Sequence, residues 1–492
     1  MIPVPGFEGR RVAVFGLGRS GITAARALQA GGAVPVLWDD GVSGRMQAEA
    51  EGFLVEDLTR ADWSGFAALV LSPGAPLTHP KPHWTVERAH AAGVPVIGDV
   101  ELFARALDAL PQGQRPRVVA ITGTNGKSTT TALIGWVLKS AGLSVHIGGN
   151  IGIGVLALPQ PTPEAVYVIE VSSYQLDLTT SFAPDVAILT NISPDHLDRH
   201  GGMEGYVAAK HRIFQAQGMD ALAVVGVDEA WGQGIAADLR AQGRRVCTVS
   251  TSAHPRGGGD PVRVVSTTLA ESKQPKNWVP ASAGMSGIEA APGVLTADGE
   301  VLVDLSAARS LPGRHNAQNA AFAYAAARAL GVSHEAAVEG LLTFPGLAHR
   351  MEAVGSLDGV RFINDSKGTN ADAARQALAS YPSVFWIAGG KAKEGGIDSL
   401  RDLFPHVATA YLNGEAADAF AETLGDTPHI VAHTMERAVE MAAADAAKAG
   451  GEQVVLLSPA CASFDQFPDF EVRGEAFRAA VLALGAKPEP AA

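Results

Sequence analysis

The sequence predicts an α/β protein built from several parallel sheets, each covered by helices on both faces. From residue 11 onward, short runs of Val, Ile and Leu alternate with longer Ala-rich stretches that have helical periodicity. That alternation is the pattern of parallel strands joined by helical crossovers. A chain of 492 residues, 47% of them apolar, is too long for one packed core and suggests about three domains.

Strands and linkers can be placed along the chain. Proline, glycine and polar residues gather at 111–116 and at 344–349, which is typical of linkers between domains. The clearest predicted strands are residues 12–15, 118–122, 166–170, 186–190 and 454–458.

Three domains follow from these linkers. Residues 1–108 are predicted to form a Rossmann-like N-terminal domain, residues 109–346 a central P-loop-type mononucleotide-binding α/β domain, and residues 347–492 a C-terminal Rossmann-like α/β domain. Residues 250–303 are rich in Gly, Ser and Pro, so they are predicted to form loops and irregular strands within the central domain. We assign no chemistry to them.

The bulk composition excludes several classes of protein. A formal net charge of -13 argues against binding to nucleic acid or to a membrane surface. Cys247 and Cys461 are too few for a disulfide framework and lack metal-ligand spacing, so both are predicted to be ordinary thiols. The N-terminus does not resemble a signal peptide, and no run of about 18 apolar residues occurs. The sequence predicts a cytoplasmic protein.

The strongest chemical signal is a glycine-rich loop between a predicted strand and a predicted helix. Backbone N–H groups and the helix N-terminus hold phosphates, Lys127 can reach the terminal phosphates, and the Ser128 hydroxyl can coordinate Mg2+. The generic P-loop spacing would place a glycine at Ile121, so this loop is predicted to be a shortened variant of the P-loop rather than the standard form. The alternative is an ordinary strand-to-helix turn, against which the context and composition argue. Its residues are Gly123, Thr124, Asn125, Gly126, Lys127 and Ser128, with Thr129 next on the helix.

Candidate metal ligands follow two further predicted strands. Glu170 ends the strand at 166–170, and open α/β sheets place their sites at such carboxyl ends. The loop after the strand at 186–190 contains Asp195, His196 and Asp198. By itself such a loop could equally be solvated surface.

A second glycine-rich turn lies near the N-terminus. Gly16, Gly18 and Gly21 follow a strand, and Asp39 and Asp40 come about 20 residues later, which matches the dinucleotide fingerprint. Alone the motif would suggest NAD and an oxidoreductase. Because the same turn binds any pyrophosphate, we interpret it as a site for a diphosphate-bearing substrate.

Five segments, in order along nearly the whole chain, resemble the Mur ligase family of peptidoglycan synthesis. The resemblance implies that the N-terminal domain binds the UDP of a nucleotide sugar, the central domain binds ATP and Mg2+, and the C-terminal domain brings the amino acid. The segments are Gly-Thr-Asn-Gly-Lys-Ser at 123–128, Glu-Val-Ser-Ser at 170–173, Asp-His-Leu-Asp at 195–198, Arg-His-Asn-Ala-Gln-Asn at 314–319 and Asn-Asp-Ser-Lys at 364–367.

Within the family, residues 458–467 and the short N-terminal domain are similar to those of members that add D-glutamate to UDP-N-acetylmuramoyl-L-alanine. This implies an ATP-dependent amide-forming ligase that works through an acyl phosphate, with small-molecule substrates only. It also implies ATP, two Mg2+ ions and a CO2-derived carbamate on Lys210 as cofactors, whereas the sequence pattern alone indicates a lysine on a helix surface. A monomer is expected.

The resemblance also implies residue roles. The catalytic residues would be Lys127, His196, Lys210 and Arg350. ATP would be bound by residues 123–129 together with Asn316, Asn319, Arg350, Asp365 and Lys367. The metal ligands would be Ser128, Glu170, His196 and carbamylated Lys210. The UDP-sugar would contact Gly18, Arg19, Ser20, Asp39, Ser72, Asn150 and His196. D-glutamate would contact Thr369, Lys393, Ser463 and Phe470, with Lys391 as an alternative to Lys393.

Some choices stay open. The family arginine after the second strand is absent, with Trp-Asp-Asp-Gly at 38–41, and the middle domain is longer than usual. Either His196 or a carboxylate such as Asp195 could accept the amine proton. The alternatives are a ligase of the same architecture that adds L-alanine, a diamino acid, a dipeptide or a folate-linked glutamate, and a nucleotide-binding regulatory protein without turnover.

Overall fold

The computed structural model describes residues 1–251, 287–308, 310–392 and 395–488. Its first sheet consists of five parallel strands in the order β3-β2-β1-β4-β5. The order reverses between β1 and β4, the point at which open α/β sheets bind ligands. The elements are β1 (Arg11–Phe15), α1 (Arg19–Ala30), β2 (Val34–Trp38), α2 (Val42–Ala50), β3 (Leu54–Val55), β4 (Phe66–Leu71), α3 (Trp84–Ala91), β5 (Val96–Ile97) and α4 (Asp99–Asp108).

The second sheet contains nine strands in the order β14-β13-β12-β11-β10-β9-β6-β8-β7. Strands β6 to β12 pair in parallel wherever they are neighbours. The elements are β6 (Arg117–Thr122), α5 (Lys127–Ser140), β7 (Ser144–Gly149), β8 (Ala165–Glu170), α6 (Ser173–Asp177), β9 (Val186–Leu189), α7 (Leu197–His200), α8 (Met203–His211), β10 (Leu222–Gly226), α9 (Ala230–Ala241), β11 (Arg245–Ser250), β12 (Gly287–Ala291), β13 (Val294–Ala297), β14 (Glu300–Asp304), α10 (Gly313–Ala329) and α11 (His334–Leu342).

The third sheet contains seven strands in the order β19-β18-β17-β20-β16-β15-β21. Its central strands are parallel, whereas β15 is antiparallel to both β16 and β21. The elements are β15 (Glu352–Leu357), β16 (Val360–Asn364), α12 (Ala371–Leu378), β17 (Val384–Gly389), β18 (Val407–Asn413), α13 (Ala417–Leu424), β19 (His429–His433), α14 (Met435–Ala449), β20 (Gln453–Leu457), α15 (Phe470–Ala483) and β21 (Lys487–Pro488).

Burial explains why the strands are apolar on both faces. In β17, Phe385 and Trp386 belong to different core clusters, because successive side chains point to opposite faces and helices cover both faces. Trp386 is fully buried, and its indole Nε1 donates a hydrogen bond to Ser458 O at 2.8 Å, in the loop after β20. A strand buried on both faces therefore appears in the sequence as a continuous apolar run.

By compactness the chain divides into two units. One contains Met1–Ala290, Thr296–Leu302 and Gln318–Gly340, and includes the first sheet and most of the second. The other contains Ala291–Leu295, Val303–Ala317 and Leu341–Ala492, and includes the third sheet. The predicted domain boundaries at 108 and 346 remain predictions.

The predicted fold class is confirmed: the chain is α/β, with parallel-rich sheets and crossover helices. Each of the five predicted strand segments lies within one residue of an observed strand at both ends. Of the segment predicted to be irregular, residues 252–286 lie outside the described residues, and the part from 287 onward forms β12 to β14. None of the helices in the described ranges is both long and apolar enough to cross a membrane.

Candidate active site

The glycine-rich loop lies at the carboxyl end of β6 and leads directly into α5. Gly123 has a φ of 147°, and a Cβ atom there would lie 1.9 Å from Thr190 Oγ1. Gly126 has a φ of 82° as the N-cap of α5, and its Cβ would lie 2.6 Å from Asn319 Oδ1. Both positions therefore require glycine. The loop exposes the helix N-terminus, which favours phosphate binding.

Asn191, after β9, fixes the shape of this loop. Asn125 N donates to Asn191 Oδ1 at 2.8 Å, and Asn191 Nδ2 donates to Asn125 O at 3.0 Å. Thr190 Oγ1 donates to the same carbonyl at 2.7 Å. The sequence analysis missed this role of Asn191. Its position could have indicated the role, because Asn191 follows β9, the strand that pairs with β6.

Two lysines meet at this loop. Lys127 Nζ donates to Gly123 O and Thr124 O, each at 2.8 Å. Lys210 Nζ donates to Gly123 O at 2.7 Å, and Lys210 is only 1% exposed. Burial, and then the charge of Lys127, lowers the pKa of Lys210 well below its ordinary value, although Asp195 and Glu170 act in the opposite direction. Lys210 is therefore a buried amine and not a surface lysine.

Tyr206 is a further residue that the sequence analysis did not assign to the site. Its ring lies 4.6 Å from Lys210 Nζ, and its hydroxyl is 3.0 Å from Thr124 Oγ1. Thr124 Oγ1 also accepts a hydrogen bond from Ser193 N at 3.0 Å. Tyr206 therefore packs α8 against the phosphate loop, and a single aromatic residue on a helix carries no sequence signal for such a role.

Glu170 has the burial and hydrogen bonding that a cation ligand needs. It is 2% exposed at the end of β8, and Oε1 accepts a hydrogen bond from Asn150 Nδ2 at 2.9 Å. Oε2 is buried and has no hydrogen-bond partner within the described ranges. An unsatisfied buried carboxylate oxygen is costly unless a cation or donor reaches it, so the site fits Mg2+.

Protein carboxylates and histidines do not complete a metal site by themselves. In the part of the chain that the structure describes, no group of three His, Cys, Asp or Glu side chains could hold a metal ion. The remaining ligands would be oxygens of hydroxyl groups, phosphate, carbamate or water. Ser128, which is 6% exposed in the first turn of α5, can supply the hydroxyl.

His196 lies immediately before α7 in a left-handed conformation, with a φ of 53°. Its Nε2 is 3.4 Å from Asp195 Oδ2, and its ring centroid is 5.1 Å from that of Tyr174. Arg199 stacks on Tyr174 at 4.6 Å and donates from Nη1 to Gly74 O at 3.1 Å. Through Arg199, the loop that carries His196 is joined to the loop after β4.

The predicted UDP-sugar residues surround the switch point of the first sheet. Gly18 is the N-cap of α1, and Ser20 lies in its first turn. Ser72 directly follows β4 and packs closely against Gly16, where a Cβ atom would lie 2.4 Å from Ser72 Cβ. Arg19 Nη1 donates to Gly152 O at 3.1 Å, in the same loop as Asn150.

Asp39 is already engaged by backbone donors. Its Oδ2 accepts from Leu17 N at 2.6 Å and its Oδ1 from Gly41 N at 2.7 Å. Asp39 therefore fixes the glycine-rich turn. Asp40 is more exposed, and its Oδ2 lies 3.3 Å from His83 Nε2.

Within the second unit, the predicted nucleotide residues of the third sheet lie near its carboxyl edge. Asp365 follows β16 and is 8% exposed, with Ser458 Oγ donating to Oδ2 at 2.8 Å. Burial raises the pKa of Asp365 to about 7, although Ser458 and the charge of Arg350 act to lower it. Lys367 Nζ lies 3.6 Å from the Phe470 ring centroid. Arg350 N donates to Leu347 O at 3.2 Å, in the turn before β15.

The remaining predicted residues are distributed as follows. Asn316 and Asn319 lie one turn apart on α10, where Asn316 Nδ2 donates to Pro312 O at 3.0 Å and Asn319 Oδ1 accepts from Thr130 Oγ1 at 3.1 Å. Thr369 lies in the loop after β16, and Ser463, 3% exposed, in the loop after β20. Lys393 lies outside the described residues.

A glycine-rich loop between a parallel strand and a helix, with a buried lysine and an unsatisfied carboxylate beside it, defines a nucleotide-phosphate-binding α/β enzyme. The profile of the Mur ligase middle domain matches residues 121–327, and that of the Mur ligase glutamate ligase domain matches residues 349–461. The chain belongs to the Mur ligase family, whose enzymes are ligases that use ATP with Mg2+.

Sequence similarity to known proteins extends over nearly the whole chain. The protein is 60% identical over 494 residues to the UDP-N-acetylmuramoylalanine--D-glutamate ligase of Caulobacter vibrioides, covering 99% of this chain and 98% of the relative. It is 59% identical over 489 residues to the protein of the same name from Phenylobacterium zucineum, covering 98% of each. The UDP-N-acetylmuramate-alanine ligase of Thermotoga maritima shares the fold, with a TM-score of 0.55, 16% identity, and coverage of 96% of this chain and 99% of that one.

Proposed function

We propose that this protein adds D-glutamate to UDP-N-acetylmuramoyl-L-alanine at the expense of ATP, in cytoplasmic peptidoglycan precursor synthesis. The observation that carries the proposal is the 60% identity, over 99% of the chain, to a relative named for that reaction. The sheet edges described above supply phosphate-binding, cation-binding and anion-binding groups of the kinds the reaction needs. The protein is expected to act as a monomer.

The proposed reaction has two steps. The L-alanyl carboxylate of the UDP-sugar attacks the γ-phosphorus of ATP, forming an acyl phosphate and releasing ADP. The amine of D-glutamate then attacks the acyl carbon, and the tetrahedral intermediate expels inorganic phosphate as the amide forms. The amine loses a proton in this step, which His196 or Asp195 could accept.

The phosphates of ATP would bind over the loop at 123–128. The N-terminus of α5 follows the loop directly, which favours negative charge there. Lys127 Nζ donates to two loop carbonyls, from which phosphate oxygens could draw it. Lys127, together with Arg350, would offset the charge that develops on the transferred phosphoryl group. Asn316, Asn319, Asp365 and Lys367 would complete the nucleotide contacts.

The Mg2+ ligands would be Ser128, Glu170, His196 and a carbamate on Lys210, serving two ions. The buried Oε2 of Glu170, which has no partner, is the feature that best fits this assignment. When bound, Mg2+ supplies positive charge that neutralises phosphate oxygens. Ser128, Glu170 and the carbamate would hold it through oxygen atoms, as Mg2+ prefers, and His196 would hold it through an imidazole nitrogen.

Carbamylation of Lys210 is chemically reasonable at this position. Burial lowers the pKa of Lys210, so its amine loses a proton more readily than that of an exposed lysine. The nitrogen lone pair of the neutral amine can attack CO2; an N–C bond forms and one proton is released. The product carries a negative charge beside Lys127 instead of a second positive one.

Lys210→Ala tests this assignment. We expect ADP release to fall by at least about a hundredfold and to recover in part with added acetate or formate, because a small carboxylate can occupy the space of the carbamate. Lys139→Ala, on the exposed last turn of α5, is the matched control and should be unaffected. Full activity of Lys210→Ala without added carboxylate would refute the carbamate.

The proposed substrate contacts come from loops of all three sheets. Gly18, Arg19, Ser20, Ser72, Asn150 and His196 would contact the UDP-sugar. Asp39 would act by fixing the turn, since both its oxygens already accept backbone hydrogen bonds. Thr369, Ser463, Phe470 and either Lys391 or Lys393 would contact D-glutamate, whose two carboxylates need cationic and hydroxyl partners.

The decisive experiment measures ADP release by the purified protein with UDP-N-acetylmuramoyl-L-alanine, ATP and Mg2+. D-glutamate, L-glutamate, L-alanine and meso-diaminopimelate are compared as amines. Strong stimulation by D-glutamate alone is the expected result. Stimulation by another amine would keep the reaction type and change the substrate, and no stimulation at all would refute the proposal.

A further inference from the structure

We propose that Arg473 is a positioning residue for the amino-acid half of the site: its buried guanidinium holds the loops predicted to contact D-glutamate and gives them a fixed positive charge. The inference rests on the proposed function and deepens it. It assigns a role to a side chain that does not occur among the residues implied by the family resemblance.

Arg473 joins two loops at the carboxyl edge of the third sheet. It lies on α15, one turn after Phe470, and is only 2% exposed. Its Nε donates to Ser366 Oγ at 3.0 Å, and its Nη2 donates to Ser366 O at 2.8 Å and to Cys461 O at 3.0 Å. One planar group therefore fixes the loop after β16 relative to the loop after β20.

The predicted amino-acid contacts lie close to these anchors. Thr369 comes three residues after Ser366, and Ser463 two residues after Cys461. The Ser366 hydroxyl, while accepting from Arg473, donates to Phe470 O at 2.8 Å. All three described contacts predicted for D-glutamate thus belong to segments that this hydrogen-bond network joins.

The loop after β17 lies against the same guanidinium. A Cβ atom on Gly390 would lie 3.1 Å from Arg473 Nη1. The next residue, Lys391, exchanges backbone hydrogen bonds with Ala462 at 2.9 and 3.0 Å. Lys391 is one of the two lysines predicted to meet a substrate carboxylate, so a third loop depends on the placement of Arg473.

Arg473 has no carboxylate in direct contact among the described residues, although the charges of Asp465 and Asp365 favour its charged form. Among the residues that the structure describes, it forms no ion pair, and its Nη1 is buried without a hydrogen-bond partner. Burial lowers the pKa of Arg473 to about 10, so it remains charged at neutral pH. A buried cation without a carboxylate partner is costly, and it is best explained if it serves a dianionic ligand bound over these loops.

Arg473→Gln and Arg473→Lys test the inference by steady-state ADP release. We expect the KM for D-glutamate to rise by about 10- to 100-fold in Arg473→Gln, the range for a lost charged hydrogen-bonding group, with a smaller rise in Arg473→Lys. The KM for the UDP-sugar should change by less than about twofold, since none of its predicted contacts lies on the loops that Arg473 anchors. The KM for ATP should rise less than that for D-glutamate, since only Asp365 and Lys367, on either side of Ser366, are predicted to contact ATP in the anchored loops. Equal rises in all three KM values would overturn the inference.

Phe477→Leu is the matched control. Phe477 lies on the same helix, one turn further on, and is fully buried in the core, so its truncation destabilises the unit without touching the loops. If this variant raises the KM for D-glutamate as much as Arg473→Gln does, general loss of stability explains the result and the inference fails.

A readout without substrate separates this inference from the proposed function. In Arg473→Gln, backbone hydrogen exchange of residues 366–369 and 461–463 should be faster than in Phe477→Leu, because these loops lose their anchor. Unchanged exchange would refute the positioning role whichever amine the enzyme uses. If Arg473→Gln does not fold, Ser366→Ala removes one bond of the network and should show both effects more weakly; a wild-type KM and exchange rate in that variant would also refute the inference.

Discussion

At the scale of single residues, Glu170 and Lys210 are two buried ionisable side chains of opposite charge type. Glu170 is a buried carboxylate with one satisfied oxygen and one unsatisfied oxygen, whereas Lys210 is a buried amine that donates one hydrogen bond. Neither group would be stable in isolation inside a protein. Together with the second lysine, Lys127, they form a site whose charge balance depends on what binds there.

Glu170→Gln should separate charge from shape. The amide can still accept from Asn150, but it loses the negative charge that would hold Mg2+. We expect ADP release to fall by at least about a hundredfold, and the Mg2+ concentration for half-maximal rate to rise, because several kcal/mol of charge stabilisation depend on the ion. Glu164→Gln, exposed just before the other end of β8, is the control. An unchanged Mg2+ dependence would contradict the assignment.

Asp365→Asn should change the pH dependence of stability. The pKa of Asp365 is raised from 3.8 to about 7 by burial, so the folded state holds the proton more tightly than the unfolded state. The free energy of unfolding therefore falls as pH rises through this interval, by at most about 4 kcal/mol at 1.36 kcal/mol per pKa unit.

Without this carboxyl, we expect a higher free energy of unfolding than wild type at about pH 8.5, a smaller difference at about pH 5 and little difference at about pH 3, measured by denaturant titration. Asp426→Asn, at an exposed position, is the control and should retain the wild-type slope. A wild-type slope in Asp365→Asn would show that the carboxyl does not titrate as described.

The sequence allowed candidate site residues to be predicted where they lie in recognisable motifs. It did not reveal residues whose place in the site depends on tertiary packing. Lys127 and Glu170 could be predicted because they end strands or begin a helix, and strand ends of a parallel sheet converge. The burial of Lys210 and the contact of Tyr206 with Thr124 could not, because no periodicity shows which face of a short helix lies under a loop. Arg473 was missed for the same reason.

At the scale of elements, the glycines at the two ends of α5 have almost the same φ angle and different surroundings. Gly126 has a φ of 82° and lies against Asn319, whereas Gly142 has a φ of 83° and has nothing within 4 Å of its Cβ position. The sequence predicted the strand before this helix closely because a strand buried on both faces is a continuous apolar run. It could not predict the short helix α7 inside a polar loop.

Gly126→Ala and Gly142→Ala form a matched pair. Both introduce the strain of a positive φ, which should cost about 1 kcal/mol of stability each. Only Gly126→Ala places a methyl group against Asn319 at the phosphate loop, so we expect its KM for ATP to rise at least about tenfold while that of Gly142→Ala stays unchanged. Equal effects on ATP would show that the loop tolerates displacement.

At the scale of the whole molecule, the residues predicted to bind ATP are divided between the two compact units. Lys127 and Asn319 belong to the first, whereas Arg350, Asp365 and Lys367 belong to the second. If one ATP molecule contacts both sets of residues, as the resemblance implies, both units must lie against the nucleotide when it is bound. The three-domain division was predicted from chain length and linker composition. The sharing of the nucleotide was implied by the family resemblance, since spacing alone does not reveal contacts between distant segments.

Substrate binding should therefore compact the chain. We expect the radius of gyration from small-angle X-ray scattering to decrease when a non-hydrolysable ATP analogue, Mg2+ and the UDP-sugar are added together. Lys127→Ala, which should bind the nucleotide poorly, is the control and should show little change. A wild-type profile that is the same with and without ligands would contradict domain closure.

Trp386 is an internal fluorophore. Its hydrogen bond to Ser458 O holds the indole at the base of the loop that carries Cys461 and Ser463. No other tryptophan occurs in the sequence beyond residue 278. The difference in emission between wild type and Trp386→Phe would isolate this one indole, whose wavelength reports the polarity around it. Rapid mixing with the amino acid could then follow the ordering of that loop in real time, without any label and before any bond is made.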